Sequence, residues 1–178
     1  MILTDSRILE EIEKGTIVIK PFQRDCLGSN SYDVHLGRYL ATYSNGELDS
    51  KKDNPVHEFE IPPEGFVLLP NDLYLGVTEE YTETHRHVPF LEGKSSVGRL
   101  GIDIHSTAGK GDVGYANYWT LEMSAKIPVR VYAGMPIGQL IYFEIEGKIL
   151  HDYANKAGAK YTKVNPHPVP SRMYLNFK

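Results

Sequence analysis

The chain has 178 residues, 41% hydrophobic and 24% charged, enough for one domain with a sizeable core. Its net charge of −4, from 19 basic and 23 acidic residues, argues against a general nucleic-acid binder, which carries a basic excess, and leaves room for a local nucleotide site. A lone cysteine, Cys26, excludes an intramolecular disulfide and a cysteine-cluster zinc site; no apolar run reaches a membrane span and no signal-peptide pattern opens the chain, so a cytoplasmic location is expected.

The first element reads as a helix. Thr4 can cap it, Ile8, Leu9 and Ile12 share one face, Glu10, Glu11 and Glu13 are placed on the other, and Gly15 stops it. Thr16–Lys20 reads as a short strand ended by Pro21, and Tyr32, Val34 and Leu36 alternate as a second strand leading into Gly37. The polar stretch 44–55 reads as a surface loop, followed by strand candidates at 58–61, 66–69 and 74–77. Further on, Ile127, Val129 and Val131 alternate, 133–136 turns, and 138–145 resumes a strand. Many short strands with little helix indicate an all-β barrel or sandwich, without internal repeat or second domain. The segment beyond Gly147 lacks apolar periodicity and suits a tail that orders on a partner subunit or a ligand.

The stretch 94–122 concentrates the chemistry. Lys94, Ser95, Ser96 and Arg99 offer cations and hydroxyls beside glycines, which suits phosphate oxygens. The bland reading of the same residues is a hairpin turn with surface charges. Asp112, between Gly111 and Gly114, fits a turn residue or an acceptor for a sugar hydroxyl. Glu122 lies between Leu121 and Met123, so on a strand it faces away from them. If that face lines a pocket, Glu122 is a general acid and base; if not, it is a solvated carboxylate. His85 and His87 alternate as a metal pair would, but lack a third ligand and read as surface histidines; Cys26 reads as structural, and Tyr118 and Trp119 as packing groups.

Taken together, Lys94-Ser-Ser-Val-Gly-Arg-Leu-Gly101, Thr107-Ala-Gly109, Asp112, Thr120-Leu-Glu122 and Gly134-Met-Pro-Ile-Gly-Gln139 resemble dCTP deaminases of the dUTPase-like superfamily. Asn30-Ser-Tyr-Asp-Val-His-Leu-Gly37 resembles that family's N-terminal block, and Ala159-Lys-Tyr161 with Ser171-Arg172 its C-terminal segment. The resemblance implies a mainly β, dUTPase-like distorted barrel or jelly-roll with one or two short helices. It implies one domain over 1–178, in which 148–178 closes over the nucleotide site.

The activity implied is hydrolytic deamination of dCTP to dUTP and ammonia, without a catalytic metal. Glu122 would move protons from water to ring N3 and the leaving amine, Ser95 and Arg99 would hold water and glutamate, and the Ala108 backbone would touch water and base. Lys94, Ser95, Ser96, Val97, Gly98, Arg99 and Lys160 match triphosphate contacts, Asp112 the deoxyribose contact, Thr120, Leu121 and Glu122 the base contacts, and Tyr153 a further nucleotide contact. Magnesium accompanies the triphosphate, dCTP and dUTP are the nucleotide partners with dTTP as a candidate inhibitor, and a homotrimer with sites shared between subunits is expected. No nucleic-acid or membrane partner is implied. The zinc deaminases activate water with a motif containing two cysteines, which this chain lacks, so the glutamate must do the proton work.

The sequence departs from the family pattern at Lys110, Val113, Ala125 and Val164, and at the last of these one phosphate contact is either lost or supplied by Lys163. Ala108-Gly109 is closer to bifunctional members, which carry dCTP through to dUMP and diphosphate, so that product stands as the alternative. A plain dUTPase lacks support, because its Gly-rich C-terminal phosphate motif is absent. The intact Glu122 argues against a non-catalytic nucleotide-binding regulator, and a purely structural β-barrel leaves the cluster of Ser95, Arg99, Asp112 and Glu122 unexplained.

Overall fold

In the computed structural model, which describes residues 1–177, helix α1 spans Asp5–Glu13 and strand β1 Ile17–Lys20, as their patterns predict. Thr4 occupies the N-cap position, but its hydroxyl meets Ser6 Oγ rather than a helix N–H. Gly15 leaves the helix at φ +70°, a conformation that favours glycine. Glu11 departs from the expectation. It lies three residues after Ile8, on the same helical face, and is buried with it. Arg7, Lys14 and Thr16 supply the partners that a buried carboxylate needs.

The remaining strands are β2 Tyr32–His35, β3 Tyr39–Tyr43, β4 Val56–Glu60, β5 Phe66–Leu68, β6 Tyr74–Thr84, β7 Val88–Gly93, β8 Ile102–Asp103, β9 Ala116–Ala125, β10 Val129–Val131 and β11 Pro136–Phe143. A five-residue helix, α2, spans Ser95–Arg99. One sheet runs β4-β3-β6-β9-β8 with β1 also on β6, a second pairs β10 with β5, and a third runs β2-β11-β7. All the strand pairs are antiparallel. The result is the expected mainly β architecture, a distorted barrel with short helices.

Inward positions come from every sheet. Tyr32, Val34, Leu36, Leu40, Leu68, Leu91, Leu121, Met123, Val131, Ile137 and Leu140 are fully buried. Each buried Val, Leu, Ile or Met contributes about 1.5–3 kcal/mol by leaving water. Strand β6 is longer than its apolar start suggests, because its polar half pairs with β1 on one side and β9 on the other. The β6–β9 register shifts between Val77 and Tyr81. There Thr78 Oγ1 accepts the Trp119 N–H and donates to the Glu80 carbonyl, while the buried Glu80 carboxylate takes both the N–H and the ring Nδ1 of His35 on β2.

The turn after β6 corrects the reading of its histidines. His85 is exposed and pairs with Glu83, but His87 is only 5% exposed, drawn under the turn by hydrogen bonding between its backbone and Thr84 Oγ1.

Among the described residues the segment after Gly147 forms no strand, and a 3₁₀ turn spans Met173–Phe177. Within the single chain it lies against the sheets. Tyr153 N–H donates to Val113 O, and Val169 N–H donates to Thr120 Oγ1. His167 meets Glu58 and the Tyr39 ring, and Ser171 N–H donates to Tyr43 Oη. The backbone of this segment lacks a ladder partner, so side chains of the sheet satisfy it instead. Lys178, the end of the predicted closing segment, lies outside the described residues.

Candidate active site

Burial alternates along β9, with Asn117, Trp119, Leu121, Met123 and Ala125 turned to the core and Thr120 and Glu122 on the other face. Glu122 is therefore neither a core residue nor free in solvent: its side chain is 35% exposed. Its Oε2 receives the Ser106 N–H at 3.4 Å and lies 4.0 Å from His105 Nδ1. His105 is 13% exposed, and its Nε2 sits 2.6 Å from the Leu91 carbonyl. A carbonyl only accepts, so that nitrogen carries a proton and Nδ1 is the one facing the carboxylate.

The loop carrying His105 is fastened at both ends to the same residue of β7. His105 bonds to Leu91 O, and Leu91 N–H donates to Gly109 O at 2.8 Å. A Cβ at position 109 would stand 2.7 Å from Leu91 O, so the close approach requires glycine. Ala108 is exposed between these two anchors.

The next turn positions Asp112. Lys110 Nζ lies 2.7 Å from one carboxylate oxygen and Lys156 Nζ 3.6 Å from the other. The hydrogen bond from Lys110, then the charges of Lys110 and Lys156, hold the Asp112 pKa below its ordinary value against the opposing effect of burial. Asp112 is thus an ionised, partly exposed acceptor at neutral pH beside the two ammonium groups. Gly111 admits the Trp119 ring, which a Cβ would meet at 2.6 Å. Tyr153 stacks edge-on against Tyr115 at 5.6 Å and is tied to the same turn through Val113. Asp112 and Tyr153 are therefore brought to one corner.

Helix α2 follows β7 and precedes β8. Its Val97 side chain is buried, while Ser95, Ser96, Gly98 and Arg99 are exposed. This helical turn replaces the hairpin of the bland reading, and it packs against β8, whose Asp103 pairs with Ser124 of β9. Lys94, just before it, forms an ion pair with Asp33 of β2. Among the described residues, neither Ser95 nor Arg99 bonds to Glu122 within the chain. Leu121 and Val97, both buried, offer a ligand only their main chains. Thr120 is engaged by the C-terminal segment, and the Lys160 ammonium has no ion-pair partner among the described residues. A concavity of about 740 Å³ is lined by Tyr43, His57, Phe59, Phe66 and Tyr74 among others and contains none of the predicted residues.

His105 is the residue that sequence reasoning missed. The signal was present: Ile102 and Ile104 are buried at alternate positions, which sets His105 on the side away from the core, as Leu121 and Met123 do for Glu122. No group of three or more side chains suited to a metal occurs among the described residues. No helix there is long and apolar enough to cross a membrane.

The dCTP deaminase-like family model matches residues 2–145. A protein of Leptospira biflexa named dCTP deaminase, dUMP-forming is 47% identical over 178 residues, covering 100% of this chain and 99% of that one. Relatives of the same name from Cytophaga hutchinsonii and Clostridium acetobutylicum are 46% and 45% identical, covering 100% and 99% of this chain and 99% of each relative. The solved 2′-deoxycytidine 5′-triphosphate deaminase of Agrobacterium tumefaciens shares the fold with a TM-score of 0.64 at 21% identity, over 84% of this chain and half of that longer one. A family model over most of the chain, and relatives of near-half identity from end to end, make this protein an enzyme of the dCTP deaminase-like family.

Proposed function

We propose that this enzyme deaminates dCTP and carries the product through to dUMP and diphosphate. The observation that carries the reading is the Glu122 carboxylate, held half-open on β9 by the His105–Ser106 loop, in a chain whose full-length relatives are named dUMP-forming. The alternative product thereby displaces the dUTP first expected.

In the deamination step Glu122 takes a proton from water, and the resulting hydroxide attacks C4 of the cytosine. The proton passes to ring N3, and the tetrahedral carbon then expels the amine as ammonia, with Glu122 relaying the second proton to it. In the second step another water attacks the α-phosphorus and diphosphate leaves. Each dCTP therefore consumes two waters and yields dUMP, ammonia and diphosphate. Asp112 accepts the sugar hydroxyl; Lys94, Ser95, Ser96, Arg99 and Lys160 hold the phosphates; the magnesium enters with the triphosphate as part of the substrate.

A homotrimer with shared sites is part of this reading. Among the described residues, Ser95 and Arg99 make no bond to Glu122 of their own chain, which supports a site completed by α2 of a neighbouring copy.

Incubation with dCTP and magnesium, followed by ion-exchange chromatography, tests the reaction. Equal release of dUMP and diphosphate with little free dUTP is expected. Accumulating dUTP would restrict the activity to deamination, and unchanged dCTP would refute the proposed reaction.

A further inference from the structure

The C-terminal segment carries two lysines, Lys160 and Lys163, whose ammonium groups have no ion-pair partner among the described residues. Their backbones, by contrast, are held firmly. Arg172 bonds to Lys160 O, and one side chain of β9, Asn117, collects most of the rest. Asn117 Nδ2 donates to Tyr161 O at 3.2 Å and to Lys163 O at 3.0 Å, while its Oδ1 accepts the N–H groups of Tyr118 and Asn165, each at 2.9 Å. The amide of asparagine has two donor hydrogens and one oxygen with two lone pairs, so its whole hydrogen-bonding capacity is used. Asn117 is 2% exposed and stands at a core-facing position of β9 where its neighbours in the alternation are Trp119, Leu121 and Met123.

A buried amide at such a position is destabilising unless every polar atom is paired, and here the pairing runs almost entirely to residues 161–165. On its other edge β9 meets β8 only at Ser124 and Ala125, so no strand competes for this part of it. The segment itself forms neither strand nor helix between Tyr161 and Asn165. Arg172 on Lys160 O and Tyr153 Oη on Tyr161 N–H share in holding this segment, but the bonds from Asn117 fix the backbone of Tyr161 and Lys163 from the same strand that presents Glu122.

We propose that Asn117 is a positioning residue for the polyphosphate of the substrate: it docks residues 161–165 on β9 so that the free ammonium groups of Lys160 and Lys163 are held for phosphate oxygens. The inference rests on the nucleotide reading above. An aspartate at position 117 has the same shape but no donor, and would turn a carboxylate oxygen toward the carbonyls of Tyr161 and Lys163.

Steady-state kinetics with dCTP on Asn117→Ala and Asn117→Asp test this, with tryptic cleavage at Lys160 and Lys163 followed in parallel. The KM for dCTP is expected to rise at least tenfold with kcat within twofold, and cleavage to accelerate at least tenfold. In a Lys160→Ala, Lys163→Ala background, Asn117→Ala should add less than twofold to KM. An unchanged KM in the aspartate variant would overturn the proposal, as would an undiminished further rise in KM in the lysine-free background. So would loss of folding in both variants, or kcat and melting temperature falling together, since each would make Asn117 a stability residue only. A wild-type protein inert toward both dCTP and dUTP would instead refute the nucleotide reading, and the cleavage rates would then decide the docking by themselves.

Discussion

Glu122 shows how much a single residue owes to its strand. Leu121 and Met123 are buried on one face, so the alternation of β9 turns Glu122 to the other, where a ligand can reach it. The neighbouring loop then supplies one N–H and one imidazole edge. Replacing Glu122 with glutamine keeps the size and the hydrogen-bonding reach but removes the proton acceptor. Ammonia release from dCTP is expected to fall by about 10²–10⁴-fold, the usual contribution of a general acid and base, while calorimetric nucleotide affinity stays within a few fold. Deamination at the wild-type rate would assign the proton work elsewhere. Glu122 was legible in the sequence because its face follows from its neighbours. The contact of His105 with Leu91 was not, because it joins residues 14 apart through a loop whose path depends on β7.

At the scale of the element, the turn between β6 and β7 carries a pH dependence. Burial lowers the His87 pKa; Arg7 and Arg86 act in the same direction, and Glu11 and Glu144 oppose them. The folded protein therefore refuses a proton that the unfolded chain accepts below about pH 6.5. Stability is unaffected above that value and declines as pH falls from it toward the lower folded pKa. For Glu11, burial raises the pKa, but Thr16, Lys14 and Arg7 together outweigh it, so its stabilising contribution is lost only at more acidic pH, below the usual glutamate range. The urea midpoint should thus drop between pH 7.5 and 5.5 in the wild type, and drop less in His87→Asn. A flat wild-type profile over that interval, or equal slopes in the two proteins, would contradict the assignment. Element boundaries reveal the same division of information. The helix α1 and the strands β1, β2, β5, β10 and β11 were visible in apolar spacing. The second half of β6 was not, because its Thr, Glu and Tyr residues gain strand structure from pairing with β1 and β9.

For the whole molecule, the lack of a bond from Ser95 or Arg99 to Glu122 among the described residues has a direct consequence. If the site is completed across subunits, a mixture of Glu122→Gln with Arg99→Ala protomers, unfolded and refolded together, recovers activity that neither variant has alone. With random assembly into trimers, a substantial fraction of wild-type-like sites is expected, measured as dCTP turnover per subunit. No recovery, with the hetero-oligomer verified by mass, would place both residues in one chain's site. By itself the sequence determined the mainly β class, the inward residues of β2 and β10, the strand face on which Glu122 lies and the family, because these depend on alternation and on short contiguous motifs. Only the tertiary structure decided that Glu11 and His87 are buried, that His105 joins Glu122, and that Asn117 anchors a tail more than 40 residues later in the chain. Those outcomes depend on which distant backbone groups lack a partner, and that is known only once the sheets have assembled.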